Sequence, residues 1–149
     1  MNFPELSIII PTLNEAECLP LLLADLVRQR ELALEVVVSD GGSTDSTVAI
    51  VKDLFASGKL SGSCVVGPSG RGRQMNIGVD VAKADWLLFL HADSRIDDVL
   101  QLRKALDFIC EYQQQQNGLM TAGRFSLAFD APVDENQLGL FYSRSKARL

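Results

Sequence analysis

A chain of 149 residues with 47% hydrophobic and 22% charged side chains has the make-up of an ordinary globular domain, large enough to bury a core. Its net charge of −5 and pI near 4.8 exclude a nucleic-acid binder that works by bulk positive charge. Cys18, Cys64 and Cys110 are odd in number and free of CxxC spacing. Neither a zinc site nor a disulfide framework is expected, and the thiols read as reduced and mostly buried in a cytoplasmic protein. The first residues lack the succession of a signal peptide. No apolar run approaches the roughly 20 residues of a membrane span, which leaves only peripheral membrane contact open.

In chain order, residues 6–10 predict a first strand that stops at Pro11, a residue with no N–H for a ladder. Residues 12–15 read as a turn, with Thr12 or Asn14 available as helix cap. A helix follows over residues 15–30, with Leu19, Leu22, Leu23, Leu26 and Val27 on one stripe. Residues 34–39 form a second strand and 40–45 a loop dense in turn and cap residues. Val48, Val51, Leu54 and Phe55 mark a second helix, closed by Gly58. A short strand at 63–66 leads into Pro68-Ser69-Gly70-Arg71-Gly72-Arg73, and Met75, Gly78, Val79 and Ala82 share a face of a third helix.

The apolar run from Trp86 to Leu90 suits a central strand buried on both faces. Val99, Leu102, Leu106, Ile109 and Cys110 give a fourth helix, starting near Asp97 and ending at Asn117-Gly118. Residues 119–129 read as a longer strand. From Asn136 a helical pattern takes in Leu138, Phe141 and Tyr142, then the basic Arg144, Lys146 and Arg148. It breaks off at Leu149 without a stop signal, so a shortened chain covered by a homo-oligomer partner and a frayed terminal helix are both expected readings. Alternation of strand and helix predicts an α/β fold with a mostly parallel, doubly wound sheet in one domain over residues 1–149.

In such a sheet, ligands sit beyond the carboxyl ends of the strands. Asp40 stands at one such end beside two glycines. An acceptor-only carboxylate there suits a base N–H or a ribose hydroxyl, although an Asp before a helix cap is also an ordinary turn residue. Gly70-Arg71-Gly72-Arg73 opens a helix, where backbone N–H groups and guanidinium forks suit a diphosphate, or else form a solvated basic loop. His91, the only histidine, and Asp93 follow the central strand directly. Asp93 reads equally as a site residue or a helix cap, whereas a lone His91 is more often a packed or capping residue than a ligand.

Four stretches, SIIIPTLNE (7–15), VSDGGSTDST (38–47), GRGRQMNIG (70–78) and FLHADS (89–94), resemble in order and spacing the family 2 glycosyltransferases. The branch most similar is bacterial and also reads His-Ala-Asp at the centre. The resemblance implies a GT-A-like three-layer fold and transfer of sugar from a nucleotide-diphosphate sugar to an acceptor of unknown identity. It further implies an inverting reaction and Mn²⁺ or Mg²⁺ as cofactor. It places Pro11, Thr12 and Glu15 in the nucleotide pocket, Asp40 on the base, and Arg71 near the base or diphosphate. His91 then lies with the donor, and Asp93 matches the metal-binding end of the DxD motif.

The chain departs from the family pattern at three points. His91 replaces the first Asp of DxD, and Gly41 replaces the second Asp of Asp-Asp-Gly-Ser. The acidic catalytic base is expected beyond Leu149, since Asp130, Asp134 and Glu135 do not stand in its context. The alternative is therefore a nucleotide-sugar-binding module without turnover. A sugar-phosphate nucleotidyltransferase or a Rossmann dehydrogenase would need a glycine-rich loop after the first strand, and Pro11-Thr12-Leu13-Asn14-Glu15 has no glycine.

Overall fold

A computed structural model describes residues 3–117, 119–124 and 140–143. Its strands are β1 (Leu6–Thr12), β2 (Leu34–Asp40), β3 (Gly62–Val66), β4 (Trp86–Phe89), β5 (Ala122–Arg124) and β6 (Leu140–Ser143). Its helices are α1 (Leu19–Val27), α2 (Thr47–Ala56), α3 (Arg71–Val81) and α4 (Gln101–Gln115). The strands form one sheet in the order β3-β2-β1-β4-β6-β5. The first four are parallel, and β6 runs antiparallel to both β4 and β5. None of the described helices is long and apolar enough to cross a membrane.

Period-two alternation along β1 explains the layers. Leu6, Ile8 and Ile10 face a core shared with Leu19, Leu22, Leu23 and Leu26 of α1, Val51 of α2, and Leu102, Leu106 and Ile109 of α4. Ile9 points the other way, with Val37, Leu87 and Ala82, onto α3. The sheet is thus covered on both faces, as a parallel sheet requires. On its thinner face α3 lies close against β1. A Cβ built on Gly78 would stand 2.4 Å from Ile9 Cγ2, so only glycine fits without displacement.

Pro11 does not stop β1, which runs on to Thr12 and pairs Pro11 with Ser39 and Thr12 with Asp40. The reason lies in which way each backbone group faces. Leu90 N–H donates to Ile9 O at 3.1 Å, so alternate residues 9 and 11 face β4. Pro11 would be the next donor toward β4 and has no N–H. The missing donor ends the β1–β4 ladder at Phe89, while the β1–β2 ladder, which does not use it, continues.

Other boundaries shift for local reasons. The first helix begins at Leu19, because residues 14–16 are hydrogen-bonded to the loop after β2. The fourth begins at Gln101, after an Asp98 turn whose carboxylate accepts Leu100 N–H. Of the pattern from Asn136 expected to be helical, residues 140–143 form strand β6, paired along the edge of β4. An unpaired edge on a central strand would leave N–H and C=O groups orphaned, and a run of Leu and aromatic residues suits the strand that covers it. The remaining residues of that pattern, Gly118, residues 125–129 of the predicted long strand, and Asp130, Asp134 and Glu135 lie outside the described residues. Cys18 is exposed and Cys64 and Cys110 are only partly buried, against the expectation of mostly buried thiols.

The Gly78 contact sets two effects in opposition. Alanine in a helix interior gains about 1 kcal/mol over glycine, whereas overpacking against a fully buried Ile9 costs about 1–3 kcal/mol. Gly78→Ala is expected to destabilise on balance, by up to about 2 kcal/mol, read as a lower urea midpoint at an unchanged m-value.

Candidate functional site

The order β2-β1-β4 means that the chain builds outward from β1 in one direction, then crosses to its other side. Where two parallel strands diverge in this way, a crevice opens at their carboxyl ends. A cleft of about 370 Å³ lies there, lined by Pro11, Thr12, Leu13 and Glu15 after β1, Ser69, Gly70, Arg71 and Gln74 around the start of α3, and His91, Ala92 and Asp93 after β4. Of the residues expected in the site, Pro11, Thr12, Glu15, Arg71, His91 and Asp93 come together; Asp40 is placed differently.

Asp40 is completely buried and is not among the residues lining the cleft. One carboxylate oxygen accepts from Thr12 Oγ1 at 3.0 Å and from Ser43 Oγ, the other from the N–H groups of Gly42 and Ser43 at 2.9 and 2.7 Å. Burial alone would raise its pKa. The hydrogen bonds from Ser43, Thr12 and Gly42 outweigh burial and hold it below the usual carboxylate range. This geometry holds the carboxylate on Thr12 and on its own loop.

The rest of the 40–47 stretch is occupied similarly. Ser43 Oγ accepts Asn14 N–H at 2.8 Å, and Asn14 Oδ1 accepts Thr44 N–H at 2.8 Å. Thr47 Oγ1 accepts Glu15 N–H at 2.9 Å, and Asp45 accepts Ala16 N–H at 3.2 Å and Thr47 N–H at 2.9 Å. Asn14 takes a positive φ of 56° to make these bonds, a conformation that asparagine tolerates better than most residues. The loop after β2 thus fastens the loop after β1, which carries Glu15 into the cleft.

Two positioning residues were missed from the sequence. Gln74 is buried within α3 and donates from Nε2 to Thr12 O at 2.7 Å and to Ser39 O at 2.8 Å, while its Oε1 accepts Gly70 N–H at 3.2 Å. Its signal was a polar side chain four residues before Gly78, on the helix face turned to the sheet. Asp25 is buried in α1 and reaches the segment after Asp93. It accepts from Arg95 Nε at 2.7 Å and from Ile96 N–H at 3.1 Å, and also pairs with Arg28. Its signal was an acid inside the Leu22–Leu26 stripe.

The electrostatics of the cleft follow from these placements. Burial, then the charges of Asp93 and Asp45, raise the Glu15 pKa, opposed by Arg71. Burial, then Arg71, lower the His91 pKa, opposed by Asp93, so the imidazole is held toward its neutral form. Arg71 and Gly70 stand at the amino end of α3, where the helix dipole is positive. Among the described residues no three His, Cys, Asp or Glu side chains converge closely enough to enclose a metal ion. A hard cation in the cleft would find the Asp93 carboxylate as one oxygen ligand and would need others to complete its set.

A parallel sheet closed by an antiparallel strand, with a polar cleft at the β1/β4 switch point, is the GT-A arrangement of the α/β fold. The family model for glycosyl transferase family 2 matches residues 7–137, and the chain belongs to that family. Among curated relatives, a PGL/p-HBAD biosynthesis glycosyltransferase of Mycobacterium bovis is 40% identical over 115 residues, covering 76% of this chain and 44% of the relative. An uncharacterized glycosyltransferase of Haemophilus influenzae is 30% identical over 149 residues, 98% of this chain and 56% of the relative. The chain therefore spans about half the length of these relatives. Similar solved structures include S. aureus TarS 1-349 in complex with UDP-GlcNAc, with a TM-score of 0.72, 26% identity and coverage of 88% of this chain and 37% of that one. The mannosyltransferase PcManGT from Pyrobaculum calidifontis, in complex with GDP-Man and Mn²⁺, has a TM-score of 0.66 at 26% identity, covering 73% and 33%.

Asp25 makes the site's support sensitive to acid. Burial alone would raise its pKa, but hydrogen bonds from Arg95, Ile96 N–H and Arg28 bring it down to about 2 from 3.8. A depressed carboxylate stabilises the fold fully above its unfolded pKa and loses that contribution as pH falls through the folded value. The expected loss is about 2 kcal/mol between pH 5 and pH 2. Urea titrations across that range should show wild type losing that much more than Asp25→Asn. Parallel acid slopes for the two would refute the assignment.

Proposed function

We propose that the cleft binds the nucleotide-diphosphate sugar donor of a metal-dependent, inverting glycosyl transfer. The observation that carries this reading is the convergence, at one switch point, of a fastened loop bearing Glu15, a helix amino end bearing Arg71, and the His91–Asp93 segment. Thr12 and Glu15 line the wall against which the nucleoside rests. Arg71 and the amino end of α3 face the diphosphate, a group that suits both the guanidinium and the dipole. Asp40 acts one step removed, by holding Thr12 and the loop at 41–43 in place.

The similar structures in complex with UDP-GlcNAc, and with GDP-Man and Mn²⁺, support a nucleotide-sugar donor and a divalent cation. Asp93 would hold that cation together with phosphate oxygens, and the cation would supply charge neutralisation for the departing nucleoside diphosphate. His91, held toward neutrality, suits an orienting hydrogen-bond partner better than a ligand for a hard cation. The chain's own residues orient the donor; none of them is assigned as the base for the acceptor hydroxyl.

Calorimetry with UDP and with GDP, each with and without Mn²⁺, tests the donor site. Wild type is expected to bind one of them more tightly with the ion. Asp93→Ala should abolish that gain, and His91→Ala should keep most of it. Equal losses in the two variants, or an undiminished gain in Asp93→Ala, would count against the roles given to them.

A further inference from the structure

The Gln74 side chain lines the cleft and ties its own helix's amino end to the ends of β1 and β2, and each tie uses a backbone group. Its amide donates both hydrogens, to the last residue of β1 (Thr12 O) and to the penultimate residue of β2 (Ser39 O). Its carbonyl accepts the N–H of Gly70, directly before Arg71. A glutamate of the same shape would set a carboxylate against two carbonyl oxygens, so the neutral amide is the group these partners require. The space it fills exists because residue 41 is glycine: a Cβ there would stand 3.1 Å from Gln74 Cδ, Nε2 and Oε1.

We infer that Gln74 is a positioning residue for donor binding, locking the Gly70–Arg71 segment to the ends of β1 and β2 and so setting where Arg71 stands in the cleft. The inference rests on the donor reading above. Gln74→Ala frees Gly70 N–H and leaves two strand-end carbonyls without their amide. Arg71 then samples positions that no longer match the ligand.

The test compares Gln74→Ala, Gly41→Ala and Ser7→Ala with wild type. Ser7 is buried at the amino end of β1, where its hydroxyl joins Glu35 and Ala84 N–H, so Ser7→Ala is a control for stability lost far from the cleft. UDP and GDP affinities are measured at 10 °C, where each variant is folded by circular dichroism, and amide exchange at Gly70 is followed by NMR. Gln74→Ala is expected to bind the preferred nucleotide about 10-fold more weakly, the scale of one lost net hydrogen bond, with faster Gly70 exchange. Gly41→Ala, which displaces the amide without removing it, should lose less. Ser7→Ala should keep wild-type affinity at a comparable loss in Tm.

Wild-type affinity in Gln74→Ala, an equal affinity loss in Ser7→Ala, or unchanged Gly70 exchange would overturn the inference. If Gln74→Ala does not fold, wild-type affinity in Gly41→Ala overturns it. A wild-type chain that binds neither nucleotide would instead refute the donor reading, and Gly70 exchange would still decide whether Gln74 holds the loop.

Discussion

Parallel strands that end inside a protein leave N–H and C=O groups where water does not reach them, and each must find a partner. That constraint governs the carboxyl edge of this sheet. Thr12 O takes Gly41 N–H and the Gln74 amide, Ser39 O takes the other Gln74 hydrogen, and Asp40 O takes Gly67 N–H at 2.9 Å. The Asp40 carboxylate then gathers the loop's own N–H groups. Without this closure, the edge would have to hydrate or unravel, and the floor of the cleft would have no fixed shape.

The polar residues of the motifs therefore divide into two populations. Asp40, Ser43, Thr44, Asp45, Thr47 and Gln74 are used up in satisfying backbone and in fastening one loop to another. Glu15, Arg71, His91 and Asp93 line the cleft. Burial first, and then the like charges of Asp93 and Asp45, raise the pKa of Glu15 in this cleft.

Much of the fold was legible because its signals are local. The runs at 6–10, 34–39 and 86–90 are apolar and short, and the stripe from Leu19 to Leu26 repeats at helical spacing. What was misread depended on groups distant in sequence. Whether Pro11 ends a strand depends on which neighbour its missing N–H faces, and residues 140–143 pair with the open edge of β4 despite a helical pattern of side chains. The site behaved likewise. His91 and Asp93 followed from a strand end and Arg71 from a basic loop opening a helix, whereas Glu15 was implied only by the resemblance of the 7–15 stretch to the family. The occupation of Asp40 by Thr12 and Ser43 could be seen only once β1 and β2 were placed side by side.

The contact between Gly78 and Ile9 has a reach beyond packing. Gly78 lies seven residues along the same uninterrupted helix from Arg71, about 10 Å at 1.5 Å per residue. Helix α3 is thus a rod seated on the sheet at Gly78 and tied again to the strand ends at Gln74, with Arg71 one turn beyond that tie. A change in seating at Gly78 would be passed along the helix to the Gln74 tie, and through it to Gly70 and Arg71. Substitutions wholly inside the thinner layer, touching no ligand, can in this way retune the mouth of the cleft.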